Sequence, residues 1–144
     1  MNTNDTNTIH KTIFLAASRD TVWAFLTEKD KLEEWFHPAD ADLREGQPFA
    51  LLATAGDINS KVCWGEVISA KKPSFLSYSF TVKPLGGAMT TVNWTLEEAA
   101  GGTRVTLVHE GIGEAAGDAA LGLLMALDAG WDEHFAKLRT KTAS

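Results

Sequence analysis

A single cysteine, Cys63, stands in a chain of 144 residues. One thiol forms no internal disulfide and gives no metal-ligand spacing, which fits a reducing compartment. Long apolar runs are also missing. Nothing approaches the ~20 residues a membrane span needs, and the opening MNTNDTNT lacks the basic and apolar stretches of a secretory leader. A cytoplasmic protein with no membrane span is expected. Positive charge is scarce as well, 13 Lys and Arg against 19 Asp and Glu, for a net charge of −6. Nucleic-acid binding needs a cationic face, so that class of partner is not expected.

Catalytic signatures are equally thin. No G-x-S-x-G, no phosphate-binding loop and no Ser/His/Asp arrangement is present, so nucleophilic and phosphoryl-transfer enzymes have no support. Residues 111–116, GIGEAA, match the G-x-G-x-x-A dinucleotide fingerprint letter by letter. The fingerprint works inside a βαβ unit, and here no later strand follows to carry the ribose-binding acid. No cofactor is expected. His37, Asp40 and Asp42, with Glu33 and Glu34 nearby, are metal-capable types at a spacing that fits no ligand pattern, so no metal site is expected.

What is present is a long amphipathic pattern at the end of the chain. Over 118–139, Leu124, Leu127, Trp131, Phe135 and Leu138 recur at steps of three and four, which places them on one helical face. Leu121, Leu123 and Met125 widen that arc near its start. Gly122 and Gly130 lie inside it, each costing about 1 kcal/mol relative to Ala. They mark either local fraying or close approach of another backbone. On the second reading, Gly130→Leu pushes the helix off its partner.

Earlier segments supply that partner. Residues 1–8 read as a disordered end, and alternation from Ile9 gives a first strand. Ser18 is placed to cap a helix over 19–28, and a second short helix over 29–36 stops before Pro38. From there the period is two, with strands expected over 40–44, 48–54, 61–69, 74–82, 90–98 and 103–110. The strand 61–69 has an open parity: either Trp64, Glu66 and Ile68 face inward, or Cys63, Gly65 and Val67 do. The expected architecture is α+β: a strand, two short helices, and an antiparallel sheet of about six further strands curved around the last helix. One domain over 9–140 is expected, with a tail at 141–144.

Several residues taken together carry a resemblance. Trp35-Phe36 close the helix pair, Gly65-x-Val67 precedes Pro73-x-x-Leu76-x-Tyr78, and Thr103-Arg104-Val105-Thr106-Leu107-x-His109-x-Gly111 leads to Gly130-Trp131 with Leu138 seven residues on. In order and spacing these resemble the START-like superfamily, in the branch related to the activator of the heat-shock-protein-90 ATPase. The resemblance implies a helix-grip fold around an internal cavity. Its members include binders of lipids, hormones and polyketides, and a few cyclases. Co-chaperone activity in the eukaryotic activators also depends on a separate N-terminal domain, whose Asn- and Trp-containing motif Asn93-Trp94 does not reproduce. A chaperone contact is therefore unsupported by motif, and a homodimer is allowed but not required.

A cavity between sheet and helix would be walled by Trp35 and Phe36 at one rim. Phe49, Trp64, Tyr78, Phe80 and Trp94 form the sheet side, and Leu127, Trp131 and Phe135 the helix side. The expected ligand is small and apolar or amphipathic, with Tyr78 and the Trp indoles as polar handles. Plain core is the competing reading for each. His109 shares the inward parity of Val105 and Leu107, so it either bonds a ligand or moves a proton, or is a satisfied core histidine. Glu66 is a second weak catalytic candidate if its parity is inward. His134 reads as exposed, and Cys63 as a buried, inert thiol.

Overall fold

The computed structural model describes residues 5–143; the expected disorder of residues 1–4 and the end of the tail at Ser144 lie outside them. Residues Asp5–Asn7 form one 3-10 turn ahead of β1 (Ile9–Leu15). Helix α1 (Arg19–Thr27) starts where Ser18 Oγ accepts from Thr21 N at 3.2 Å, and α2 (Lys29–Trp35) follows after Glu28 alone. The strands are β2 (Pro48–Leu52), β3 (Lys61–Lys71), β4 (Phe75–Val82), β5 (Thr90–Ala99) and β6 (Gly102–Glu110). Helices α3 (Ile112–Ala116) and α4 (Ala120–Thr142) end the chain, joined by a 3-10 turn at Gly117–Ala119.

The strands form one antiparallel sheet in the order β1-β6-β5-β4-β3-β2. It is a curved sheet gripping a long C-terminal helix, as expected. Residues 40–44 are the exception, making no strand beyond one bridge from Ala39 to Leu51, so five strands follow the helices. Their acidic side chains cap neighbouring backbone instead. Asp40 Oδ1 accepts from Ala50 N and Asp42 Oδ1 from Lys29 N, each at 2.9 Å, while Leu43 N donates to Thr27 O at 2.7 Å.

Parity along β3 is settled by burial. Cys63 and Val67 are buried and face the helix, while Glu66 and Ile68 are exposed on the outer face. Gly65 lies where β4 comes closest, and a Cβ there would overlap the Ser79 carbonyl oxygen. Along β4 to β6, Leu76, Tyr78, Phe80, Val92, Trp94, Leu96, Val105 and Leu107 are buried, the inward set that alternation predicts.

Helix α4 packs unequally along its length. Trp131, Phe135, Leu138 and Thr142 are buried, but Leu121 is 71% and Met125 65% exposed, and Leu124 and Leu127 are half-buried. Its first half therefore stands away from the sheet. Lys11 of β1 pins the middle of the helix by ion pairs to Asp128 and Asp132 at 2.7 and 2.8 Å. Burial opposes the Lys11 charge, and the two carboxylates outweigh it, leaving its pKa raised. The helix runs past the expected end at 139 to Thr142, whose Oγ1 donates to Leu138 O. Among the described residues no helix is long and apolar enough to cross a membrane.

Close backbone approach does not explain the two glycines of α4. A Cβ built at Gly122 or Gly130 meets nothing within 4 Å. The missing side chains leave open space where the helix would otherwise lean on the sheet.

Candidate functional site

Beneath the second half of α4 the interior is filled. Trp35 meets Trp94 edge to face at 6.0 Å, Trp94 meets Trp131 at 5.6 Å, and Phe135 completes the stack at 5.8 Å from Trp94. Phe49 and Tyr78 are in edge contact at 5.0 Å farther along the sheet. The polar ends of these rings are bonded within the core. Trp35 Nε1 donates to Phe25 O at 2.7 Å, and Trp94 Nε1 to the Tyr78 hydroxyl at 3.0 Å. Burial pushes the Tyr78 phenol upward in pKa, with Cys63 adding to the shift and the Trp94 bond opposing it. The handles expected for a ligand are engaged inside the core.

His109 is fully buried in the same region, its Nδ1 accepting from Trp131 Nε1 at 3.2 Å and its Nε2 2.7 Å from Thr90 Oγ1. Because the indole is only a donor, Nδ1 is the bare nitrogen and Nε2 carries the proton. The Thr90 hydroxyl in turn donates to Phe80 O at 2.6 Å. Burial lowers the imidazole pKa to about 4, so it is neutral at pH 7. With both nitrogens bonded, His109 reaches a ligand only if Trp131 or Thr90 moves. Glu66 and Trp64 are not brought to this region: Glu66 is exposed, and Trp64 lies on the outer face beneath Lys61 Nζ at 5.4 Å.

An opening lies where α4 stands off. Phe36 and His37 line it from the end of α2, Cys63, Phe80 and Val82 from the sheet, and Leu127, Gly130, Trp131 and His134 from α4. This hollow has a volume of about 110 Å³. It shares Ala126 with a wider one of about 390 Å³, formed by Pro84 and Leu85 after β4, Ala115, Ala116 and Ala119 of the α3 region, and Gly122 and Leu123 of α4. The two adjoin along α4: the narrow part lies between α4 and the sheet, and the wide part is lined by apolar side chains from the turn after β4, the α3 region and α4.

Polar chemistry gathers at the narrow end. His134 was expected to be exposed but is partly buried, its Nδ1 donating to Trp35 O at 3.2 Å. Its ring stands 5.2 Å from that of His37 and 4.7 Å from that of Phe36. Burial lowers the His37 pKa to about 4, with His134 and Lys137 adding to the effect. His134 is also lowered by burial and Lys137, against the pull of the Trp35 carbonyl. Cys63 is held as a thiol, burial pushing its pKa up to about 12. No cluster of three metal-capable side chains exists among the described residues. The sequence signal for this end was faint but present: His37 directly follows Trp35-Phe36, and His134 lies three residues after Trp131, beside the apolar stripe.

Residues 16–142 match the family model described as activator of Hsp90 ATPase homolog 1-like protein. The chain belongs to this family. Among solved structures, CalU16 from Micromonospora echinospora is 24% identical, with 91% of this chain and 73% of that one covered at a TM-score of 0.72. DynU16, from the dynemicin biosynthetic locus, is 23% identical at a TM-score of 0.73; 93% of this chain is covered, yet it spans only 46% of DynU16. The Aha1 dimer from Colwellia psychrerythraea is 16% identical over 94% of this chain and 96% of that one, at a TM-score of 0.73. Identities of this size establish a shared fold and leave function to the site. Comparison with curated proteins gave no match.

Proposed function

We propose that this member of the family binds a small apolar or amphipathic molecule in the groove along residues 122–134 of α4, walled by the sheet at its narrow end and by the turn after β4 and the α3 region at its wide end. The observation that carries the reading is the pairing of Gly122 and Gly130 with open space along an otherwise apolar helix face. A helix selected only for packing gains about 1 kcal/mol from Ala at each position. The larger hollow falls in the size range of small-molecule sites. The kinship in fold with DynU16, a protein of a biosynthetic locus, is compatible with handling such a molecule.

Thermal-shift and native mass spectrometry against neutral aromatic and lipid probes test it. Binding should disappear in Gly130→Trp, whose indole fills the narrow hollow, while the variant keeps its cooperative melt. A library without a single binder, or unchanged binding in Gly130→Trp, contradicts the reading. A cyclase or hydrolase working through His109 is disfavoured by the sealing of that ring under Trp131. A homodimer is a separate proposal, favoured by the exposed Leu121 and Met125 and compatible with the dimeric Colwellia relative. Light scattering at micromolar concentration decides it.

A further inference from the structure

Three polar side chains line the groove, and all three gather at its narrow end: His37, His134 and Cys63. The indole of Trp131, which also lines it, already donates to His109. Cys63 is a weakly bonding thiol. His134 holds its Nδ1 proton on the Trp35 carbonyl, which fixes the tautomer and makes Nε2 a hydrogen-bond acceptor. No hydrogen bond among the described residues ties either ring nitrogen of His37. Around the pair stand Phe36, Phe80 and Trp131, with the Phe36 and Trp131 rings stacked at 5.3 Å and 27°. The hollow, at about 110 Å³, is smaller than the roughly 150 Å³ apolar cavity that takes up benzene, so it has room for no more than one six-membered ring.

We infer that the narrow end of the groove is a subsite for one aromatic ring carrying a neutral hydrogen-bond donor, such as a phenolic hydroxyl, with His134 Nε2 and His37 as its acceptors. The inference rests on the groove being the binding site. Both imidazoles are neutral at pH 7, because burial, their mutual proximity and Lys137 all work against a proton on His37, and burial and Lys137 outweigh the Trp35 carbonyl at His134. A carboxylate or phosphate entering here would lose water and meet acceptors, which is unfavourable. The nearby cation is Lys137, and it lines a separate surface hollow with Glu34. An ammonium would give up its hydration on entering a hollow walled by Phe36, Phe80 and Trp131. A hydroxyl gains a bond without bringing charge into the site.

Three two-ring probes at pH 7 separate the possibilities: naphthalene, 2-naphthol and 2-naphthoate, titrated by intrinsic Trp fluorescence and native mass spectrometry. The second ring of each extends toward Ala126, the wall the two hollows share. The expected order is 2-naphthol roughly three- to tenfold tighter than naphthalene, the worth of one net hydrogen bond, with 2-naphthoate weakest. His134→Phe and His37→Phe should remove that advantage, read as the ratio of 2-naphthol to naphthalene affinity within each variant. Should either Phe variant misfold, His134→Ala and His37→Ala are read by the same ratio. Naphthalene binding with no gain from the hydroxyl overturns the subsite and leaves the groove intact. Tighter binding of 2-naphthoate also overturns it, in favour of an anion drawn by Lys137. No naphthalene binding at all overturns the groove itself.

Discussion

His109 ties three elements together through two bonds, to Thr90 of β5 and to Trp131 of α4. Its neutral state gives stability a specific pH dependence. The unfolded imidazole takes a proton near 6.5, the folded one only near 4. Above pH 6.5 the stabilisation is fully present, and it falls away as pH drops toward 4, by about 3 kcal/mol at 1.36 kcal/mol per pH unit. Urea unfolding at pH 7 and pH 4 should show this loss, and His109→Gln should show a smaller one. Parity in the sequence put His109 on the inner face; its sealing was not legible, because Trp131 comes from 22 residues farther along the chain. Gly65 was legible only as a motif position. Its contact with Ser79 predicts that Gly65→Ala costs more than about 2 kcal/mol in chemical denaturation, since a backbone carbonyl has nowhere to move.

Helix α4 behaves as two elements in one. Its second half is locked by Trp131, Phe135 and Leu138, its first half rests on partial burial, and Lys11 pins the junction through Asp128 and Asp132. Amide exchange should therefore be faster over 121–129 than over 131–142, and Lys11→Met should speed it around 128–132. Equal exchange along the helix would contradict this division. The glycine reading reverses a natural expectation. With no neighbour within 4 Å of a Cβ, Gly130→Ala should be neutral to about 1 kcal/mol stabilising in thermal melts, where close backbone approach would make it destabilising. Helical spacing revealed the apolar stripe of α4 but not its lift, because spacing does not say which members of the stripe the sheet reaches: Leu121 and Met125 stay exposed while Trp131, Phe135 and Leu138 are buried. At 40–44 the alternation suggested a strand, and side-chain caps from Asp40 and Asp42 replaced the ladder.

At the scale of the molecule, the grip of sheet on helix was readable because each strand from β4 to β6 carries a clean inward set and only one element has the apolar face to match it. The location of free space was not. Thirteen aromatics suit a filled or an open interior equally, and the fold uses them for both: packed under the second half of α4, and lining a hollow at its middle. Trp35, Trp94 and Phe135, expected at the cavity wall, belong to the packed part, whereas Phe36, Phe80, Leu127 and Trp131 face the groove. Intermolecular nuclear Overhauser effects from bound 2-naphthol decide whether the groove is a ligand site: contacts are expected from the probe to Val82, Leu127, the Gly130 α-protons and His134. Contacts confined to the outer face near Trp64 and Ile68, or none from a saturated sample, would contradict it.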